Sequence, residues 1–469
     1  MATNIFFMPL SLLFMVPLLV AGSDATLIMI DAEQKRQEFR GMGCGSIFYS
    51  GHITSFAKKK PALQEKYYDD LFTSIKTQYL QIMIRPDFEA INDNEDPYIL
   101  NFPEGNFKAN ASSLAICKAA KIRRPDMKIY AVLYTPPAWM KTNGEIGGGG
   151  KQYATLKEGL SLELCEYLWA YLTHMQANGM PVDYLSFCNE ADWEHKQPSY
   201  FLSGEAHAQL LKDLVGYLQT MSVKHPEIPV PKLVGPNMLS AVGTARKYWP
   251  AMKRLGVAKH LDVVASHDYH RAPRRWKALR KLVGPDRDLW CSEWSYHKKD
   301  ASTDLIVGAT EFWSMMIECF NDGANTWMAY DWAYPPREGG EALTHVEWGK
   351  FYHKTRIYHG FKQWCNALEP GMRVVQSYTI GTRSPEVHAC GFLSSDSKRL
   401  VVHVVNMHDR EAAMTLKLAN FSPVGAEIHR TSLTKTGAVE AAKVVKKELS
   451  AELGPRQMVT IFLRTEVSP

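Results

Sequence analysis

The sequence predicts an α/β protein, a (β/α)8 TIM barrel carrying a C-terminal antiparallel β-sandwich as a side domain. Eight short apolar segments alternate with helical ones between Gly43 and Tyr330, the rhythm of a parallel barrel in which each strand feeds a helix. Most of these segments run into residues able to touch a polar ligand, as the C-terminal mouth of a barrel requires. From Pro370-Gly371 onward the pattern becomes short alternating strands with turns between them and no helix of any length.

The expected barrel strands lie near Gly43–Phe48, Tyr79–Ile84, Lys128–Tyr134, Asp183–Cys188, Lys232–Gly235, Asp262–Ser266, Asp288–Ser292 and Thr326–Tyr330. Several are apolar at successive positions, which suits strands covered on both faces. Between the third and fourth, Leu164, Leu168, Tyr171, Leu172 and Met175 fall on one helical face, and Gly179 with Pro181 ends that helix. In the side domain, strands are expected at Val387–Phe392, Leu400–Val405, Ala413–Leu418, Glu427–Leu433 and Met458–Leu463. The chain thus divides into a leader at 1–23, a strand within 24–38 that can join the side sheet, a barrel over 39–369 and the β-domain over 370–469.

At 469 residues the chain can bury one large core and a smaller one. Its 46% apolar and 22% charged content is ordinary, while 12 Trp and 21 Tyr are many. The net charge of +5 is dispersed, so no nucleic-acid footprint is read; Lys58-Lys59-Lys60 is a solvated loop. Met1 to Ser23 carries no charged side chain and is almost wholly apolar from Ile5 to Ala21, as in a secretory signal peptide, with an uncleaved anchor as the alternative. No later stretch is apolar for long enough to span a membrane. The eight cysteines form no metal-ligand spacing and read mostly as small buried hydrophobes, with a disulfide or two left open.

Two segments carry the chemistry. Tyr184-Leu185-Ser186-Phe187-Cys188-Asn189-Glu190 and Asp288-Leu289-Trp290-Cys291-Ser292-Glu293-Trp294 are each a strand ending in a glutamate. One such carboxylate alone is a solvated loop residue. Two on one rim suit a retaining glycosidase, in which one carboxyl protonates the leaving oxygen and the other attacks the anomeric carbon. The flanking tryptophans offer flat apolar faces to sugar rings. Arg85, Trp139, Asn189, His267, Tyr269, Asp331 and Trp332 also follow strand ends.

Three other features attract attention. Gly41, Gly43 and Gly45 lack the Lys-Ser or Lys-Thr of a phosphate loop, and His267-Asp268-Tyr269-His270 lacks an acidic third ligand. Gly147–Gly150 is expected to be a flexible loop at the mouth that closes over substrate.

Tyr134-Thr135-Pro136-Pro137-Ala138-Trp139-Met140-Lys141-Thr142-Asn143, Phe187-Cys188-Asn189-Glu190, Ser266-His267-Asp268-Tyr269 and Cys291-Ser292-Glu293-Trp294 resemble the third, fourth, sixth and seventh strand motifs of glycoside hydrolase family 30. Downstream, Tyr358–Trp364 and Glu369–Val374 are similar to that family's exit into its side domain, so the resemblance runs from about Arg40 to Leu463. It implies Glu190 as acid/base, Glu293 as nucleophile, and Asn189 as donor to the sugar 2-hydroxyl. It further implies Arg85, Trp139, His267, Tyr269 and Trp332 around the sugar; Trp294, beside the second glutamate, is expected to bind substrate as well, and Arg85 is expected to keep Glu293 ionised by charge pairing. No metal or organic cofactor is implied, and the partner is a β-linked glycan of the xylan, β-1,6-glucan or β-1,6-galactan type. The glucosylceramidase branch separates its strand-end Arg from a substrate-binding Asp, whereas Arg85-Pro86-Asp87 are contiguous here. A glycolipid hydrolase and a non-catalytic glycan-binding protein are the alternatives; oligomeric state is left open.

Overall fold

A computed structural model describes residues 26–465 apart from 152, 270, 271, 273, 299–303 and 381–385; the expected leader lies outside the described residues. Eight parallel strands form a closed barrel: Gly41–Ser46, Tyr79–Ile84, Lys128–Leu133, Tyr184–Ser186, Lys232–Met238, Val263–His267, Asp288–Trp294 and Thr326–Ala329. They pair in chain order, and the eighth closes on the first. The second strand is buried at every position, which is why its sequence, Tyr79-Leu80-Gln81-Ile82-Met83-Ile84, shows little polar alternation. Helices cover the outside. Ser161–Ala177 carries the apolar face read from the sequence, and Gly179 at φ +72° follows it. Gly204–Lys224 is capped by Ser203, whose hydroxyl accepts the Ala206 amide at 3.1 Å.

Alternation along each strand sends every second side chain into the lumen. Trp290 fills the lower lumen, its ring 4.8 Å from both Tyr79 and Tyr184 and 5.9 Å from Tyr130. This aromatic floor closes the barrel beneath the mouth, so the lumen is a packed core and the chemistry is confined to the top.

The side domain is one hydrogen-bonded sheet of nine strands. Thr26–Glu38 lies between Arg373–Ile380, to which it is antiparallel, and Ala412–Ala419, to which it is parallel. Strands from opposite ends of the sheet share one apolar cluster, including Leu416, Leu449, Ile428 and Ile461, so the sheet curls into two layers. Its barrel-facing side merges with the main core, where Trp364 stacks on His403 at 3.9 Å and meets Trp313 edge-on at 5.1 Å.

Some elements differ from expectation. Arg373–Ile380, Ala438–Ala442 and Glu448–Leu453 are additional strands. Ala438–Ala442 is exposed at four of its five positions, so hydrophobic alternation could not mark it. The glycine loop is pinned rather than free. The Gly148 amide donates to His195 O at 2.7 Å, and Lys141 Nζ donates to the carbonyls of Ile146 and Ser199 at 2.7 Å each. A Cβ on Gly147 would lie 2.4 Å from Lys196 O, so glycine there permits close backbone approach. All eight cysteines are buried free thiols.

Removing the Trp290 ring leaves a void at the barrel floor. Trp290→Ala is expected to lower unfolding free energy by about 3–5 kcal/mol, measured by urea denaturation; a loss under about 1 kcal/mol would contradict the packing described.

Candidate active site

Strict alternation along the seventh strand would send Trp290, Ser292 and Trp294 inward and Glu293 outward. The structure does otherwise. Between Cys291 and Trp294 the strand carries a bulge relative to both neighbours, and an extra residue in a ladder re-aims the side chains beyond it. Glu293 therefore enters the lumen, where Tyr134 Oη donates to its Oε2 at 2.8 Å and Tyr269 Oη to its Oε1 at 3.0 Å. Trp294 turns outward, with its ring 5.1 Å from Phe312 and 6.3 Å from Trp327.

Glu190 lies just past the fourth strand with φ +46°, a left-handed conformation uncommon away from glycine. Its Oε1 is hydrogen-bonded to His267 Nδ1 at 2.7 Å, and the same nitrogen is 3.6 Å from Glu293 Oε1. Ligand atoms of Glu190, His267 and Glu293 all fall within 4.8 Å of one another, and all three side chains are buried. Among the described residues this is the one cluster of three or more His, Cys, Asp or Glu groups so close.

The two carboxyls differ in acidity. Burial and the charge of Asp192 push Glu190 up to about 8. Burial also raises Glu293, but His267 and the two tyrosine hydroxyls restrain it to about 6. Burial pushes His267 below its ordinary value, while the charges of Glu293 and Asp192 pull it back up. At neutral pH the arrangement holds Glu190 as a proton donor and Glu293 as an anion.

Beneath them sits Asn237, the extra residue of a bulge in the fifth strand, at φ +62°. Its backbone carbonyl accepts the Glu190 amide at 2.9 Å. Its side-chain Oδ1 accepts from Ser292 Oγ at 2.5 Å and Tyr130 Oη at 3.3 Å. Its Nδ2 donates to Cys188 O at 3.3 Å and to Asn189 Oδ1 at 3.4 Å. One residue thus ties the strand ending in Glu190 to the strand ending in Glu293.

The structure brings Glu190, Glu293, Asn189, His267 and Tyr269 together. Asn189 is buried with its Oδ1 facing Asn237, leaving its amide nitrogen as a donor. Trp139 is half-buried and donates through Nε1 to Glu89 O at 3.2 Å. Arg85 departs from expectation. It is 3.5 Å from Asp87, and Glu293 instead draws its hydrogen bonds from the tyrosines. Trp294 and Trp332 are corrections. Both are buried in the shell between strands and helices, and Trp332 packs edge-on against Phe72 at 5.9 Å. The eighth strand stops at Ala329, and the Trp332 amide donates to Gly45 O at 2.9 Å, so period two does not extend to residue 332. Asp331 is likewise a staple, accepting the Ile47 amide at 2.9 Å.

Sequence reasoning missed Tyr134, Tyr330, Asn237 and Asp192. Tyr330 belongs to the lumen cluster with Met328 and Tyr134, and alternation from Met328 was the signal that would have found it. Asn237 carried no signal beyond an Asn after Gly235-Pro236.

A scan against protein-family models finds no match, and a search of curated protein sequences finds none. Solved structures do match. The catalytic domain of family 30 xylanase C from Talaromyces cellulolyticus superposes with a TM-score of 0.76 at 15% identity, covering 94% of this chain and 100% of the other. SrfJ from Salmonella typhimurium gives 0.76 at 18% identity over 95% and 94%. A family 30 subfamily 8 xylanase from Clostridium acetobutylicum gives 0.69 at 18% over 94% and 100%. The chain has a glycoside hydrolase family 30-like fold, a (β/α)8 barrel with its β-domain.

Asn237→Ala removes the acceptor of the buried Ser292 hydroxyl and the tie to the strand that ends in Glu190. It is expected to destabilise the protein by about 1–3 kcal/mol, read as a lower urea midpoint; an unchanged midpoint would contradict the network.

Proposed function

We propose that the protein is a retaining β-glycoside hydrolase, with Glu293 as nucleophile and Glu190 as acid and then base. The observation that carries this reading is the pair of buried carboxyls with oxygens within 4.8 Å, held at unequal acidity. Retaining enzymes keep their carboxyls roughly 5–5.5 Å apart, while inverting ones leave about 6.5–9.5 Å for a water. The family 30-like fold supports the same class.

In the first step Glu293 attacks the anomeric carbon, the glycosidic C–O bond breaks, and the departing oxygen takes the proton from Glu190. In the second, water gives a proton to Glu190 and attacks the same carbon, breaking the ester and freeing Glu293. Tyr134 and Tyr269 orient the Glu293 oxygens, and Asn189 offers its amide to the 2-hydroxyl, an interaction that strengthens in the transition state. The three-group cluster also has the makings of a metal site. Both Glu293 oxygens accept tyrosine O–H groups, however, an arrangement that favours a free carboxylate over a ligand.

The substrate class we propose is a β-linked glycan of the xylan, β-1,6-glucan or β-1,6-galactan type. No helix among the described residues is long and apolar enough to cross a membrane, and with the apolar leader we propose export from the cell. Hydrolysis of these glycans and of glucosylceramide should identify one substrate. Glu190→Gln and Glu293→Gln are each expected to lower kcat on it by on the order of a thousandfold or more while keeping the wild-type circular dichroism. Activity surviving in Glu293→Gln would overturn the nucleophile assignment.

The pH profile follows from the two acidities. Glu293 must be ionised, so activity rises as pH passes about 6. Glu190 must be protonated, so it falls as pH passes about 8. A bell-shaped kcat/KM with limbs near those values is expected; a profile flat from pH 5 to 9 would contradict the assignment.

A further inference from the structure

A line of aromatic rings leaves the catalytic carboxylates and ends on the outer rim. Tyr330 stands in the lumen cluster with Tyr134, whose hydroxyl holds Glu293. Tyr334 Oη donates to Tyr330 Oη at 2.7 Å, and their rings are 5.9 Å apart. Tyr49 follows at 4.5 Å from Tyr334, His52 at 5.1 Å from Tyr49, and Trp348 at 4.9 Å from His52. Exposure increases along the series. Tyr330 and Tyr334 are each 7% exposed, Tyr49 and His52 are half-buried, and Trp348 is 58% exposed.

Trp348 occupies a built seat. It lies at the tip of the hairpin formed by Thr344–Glu347 and Phe351–Lys354. A Cβ on Gly51 would come within 3.0 Å of its ring, so the indole lies directly against a glycine. The tip is tied down beside it: the Gly349 amide donates to Ser55 Oγ at 2.9 Å, and Lys60 Nζ to Lys350 O at 2.5 Å. An indole held in place yet more than half open to solvent serves a ligand better than a core, because exposing its apolar face to water is unfavourable.

We propose that Trp348, braced edge-on by His52, which Tyr49 supports in turn, is a distal subsite that stacks a sugar residue of a β-glycan chain whose cleaved bond lies between Glu190 and Glu293. The inference rests on the glycosidase reading and deepens it to a polymeric substrate gripped beyond the reacting sugar. The occupant follows from continuity with the catalytic centre and from chemistry. The C–H face of a pyranose ring matches the exposed indole of Trp348, against which His52 lies edge-on.

The test compares kcat/KM on the polymer with kcat/KM on a short aryl β-glycoside of the same sugar. Trp348→Ala is expected to lower the polymer-to-short ratio by about fivefold or more, with Trp348→Phe recovering most of it and Tyr378→Ala, a distant exposed aromatic on the side sheet, leaving it at the wild-type value. An equal ratio in Trp348→Ala and wild type would overturn the subsite while leaving the glycosidase reading intact. If the folded wild type cleaves nothing, the glycosidase reading fails, and electrophoresis through gels containing xylan or β-1,6-glucan still decides the subsite. Retardation of wild type that is lost in Trp348→Ala supports it, and equal mobility of the two, with or without glycan, overturns it.

Discussion

Two carboxyl groups brought within 4.8 Å in a buried pocket cannot both carry charge without a large penalty, and the architecture around them serves to resolve that conflict. The resolution is asymmetry. Burial and the charge of Asp192 keep the proton on Glu190. Glu293 receives two tyrosine hydroxyls, which let it release its own. His267 Nδ1 lies between them, 2.7 Å from one acid and 3.6 Å from the other, a spacer that fixes their separation. A protonated carboxyl and an anionic one thus arise from identical side chains through their surroundings alone.

Holding this geometry requires departures from ideal backbone. Glu190 and Asn237 both adopt positive φ, and the fifth and seventh strands both carry bulges. Left-handed non-glycine residues cost about 1–3 kcal/mol each, a modest sum against a barrel core whose floor contains fully buried Trp290 and Tyr130. The rigid scaffold therefore sustains local strain where strand ends must present side chains, and Asn237 transmits the constraint from the strand that ends in Glu190 to the one that carries Glu293. The side sheet contributes by packing Phe392 and His403 against Trp364 of the helix Arg356–Ala367.

Much of the fold was legible because its signals are local and repeated. Strand placement followed from apolar runs such as Ile129 to Leu133, and the first strand of the chain was readable as a candidate for the side sheet. The two glutamates stood out because each closes such a run. The tryptophans misled for a physical reason. Period two assumes an unbroken pleat, and the bulge after Cys291 inverts it, sending Trp294 to the helices and Glu293 to the lumen. Trp332 lies beyond the end of its strand, where no period applies. Asn237 and the pinned glycine loop depend on contacts between segments distant in sequence, which composition and spacing do not encode. Exposed strands such as Ala438–Ala442 carry no alternation to read.

The central claim is that Glu293 forms a covalent glycosyl ester, and the stereochemistry of the first product tests it most directly. Proton NMR of the anomeric signals during the first minutes of hydrolysis, before mutarotation, is expected to show the β-anomer accumulating first from a β-linked substrate. First appearance of the α-anomer would mean a single displacement by water and would contradict the account.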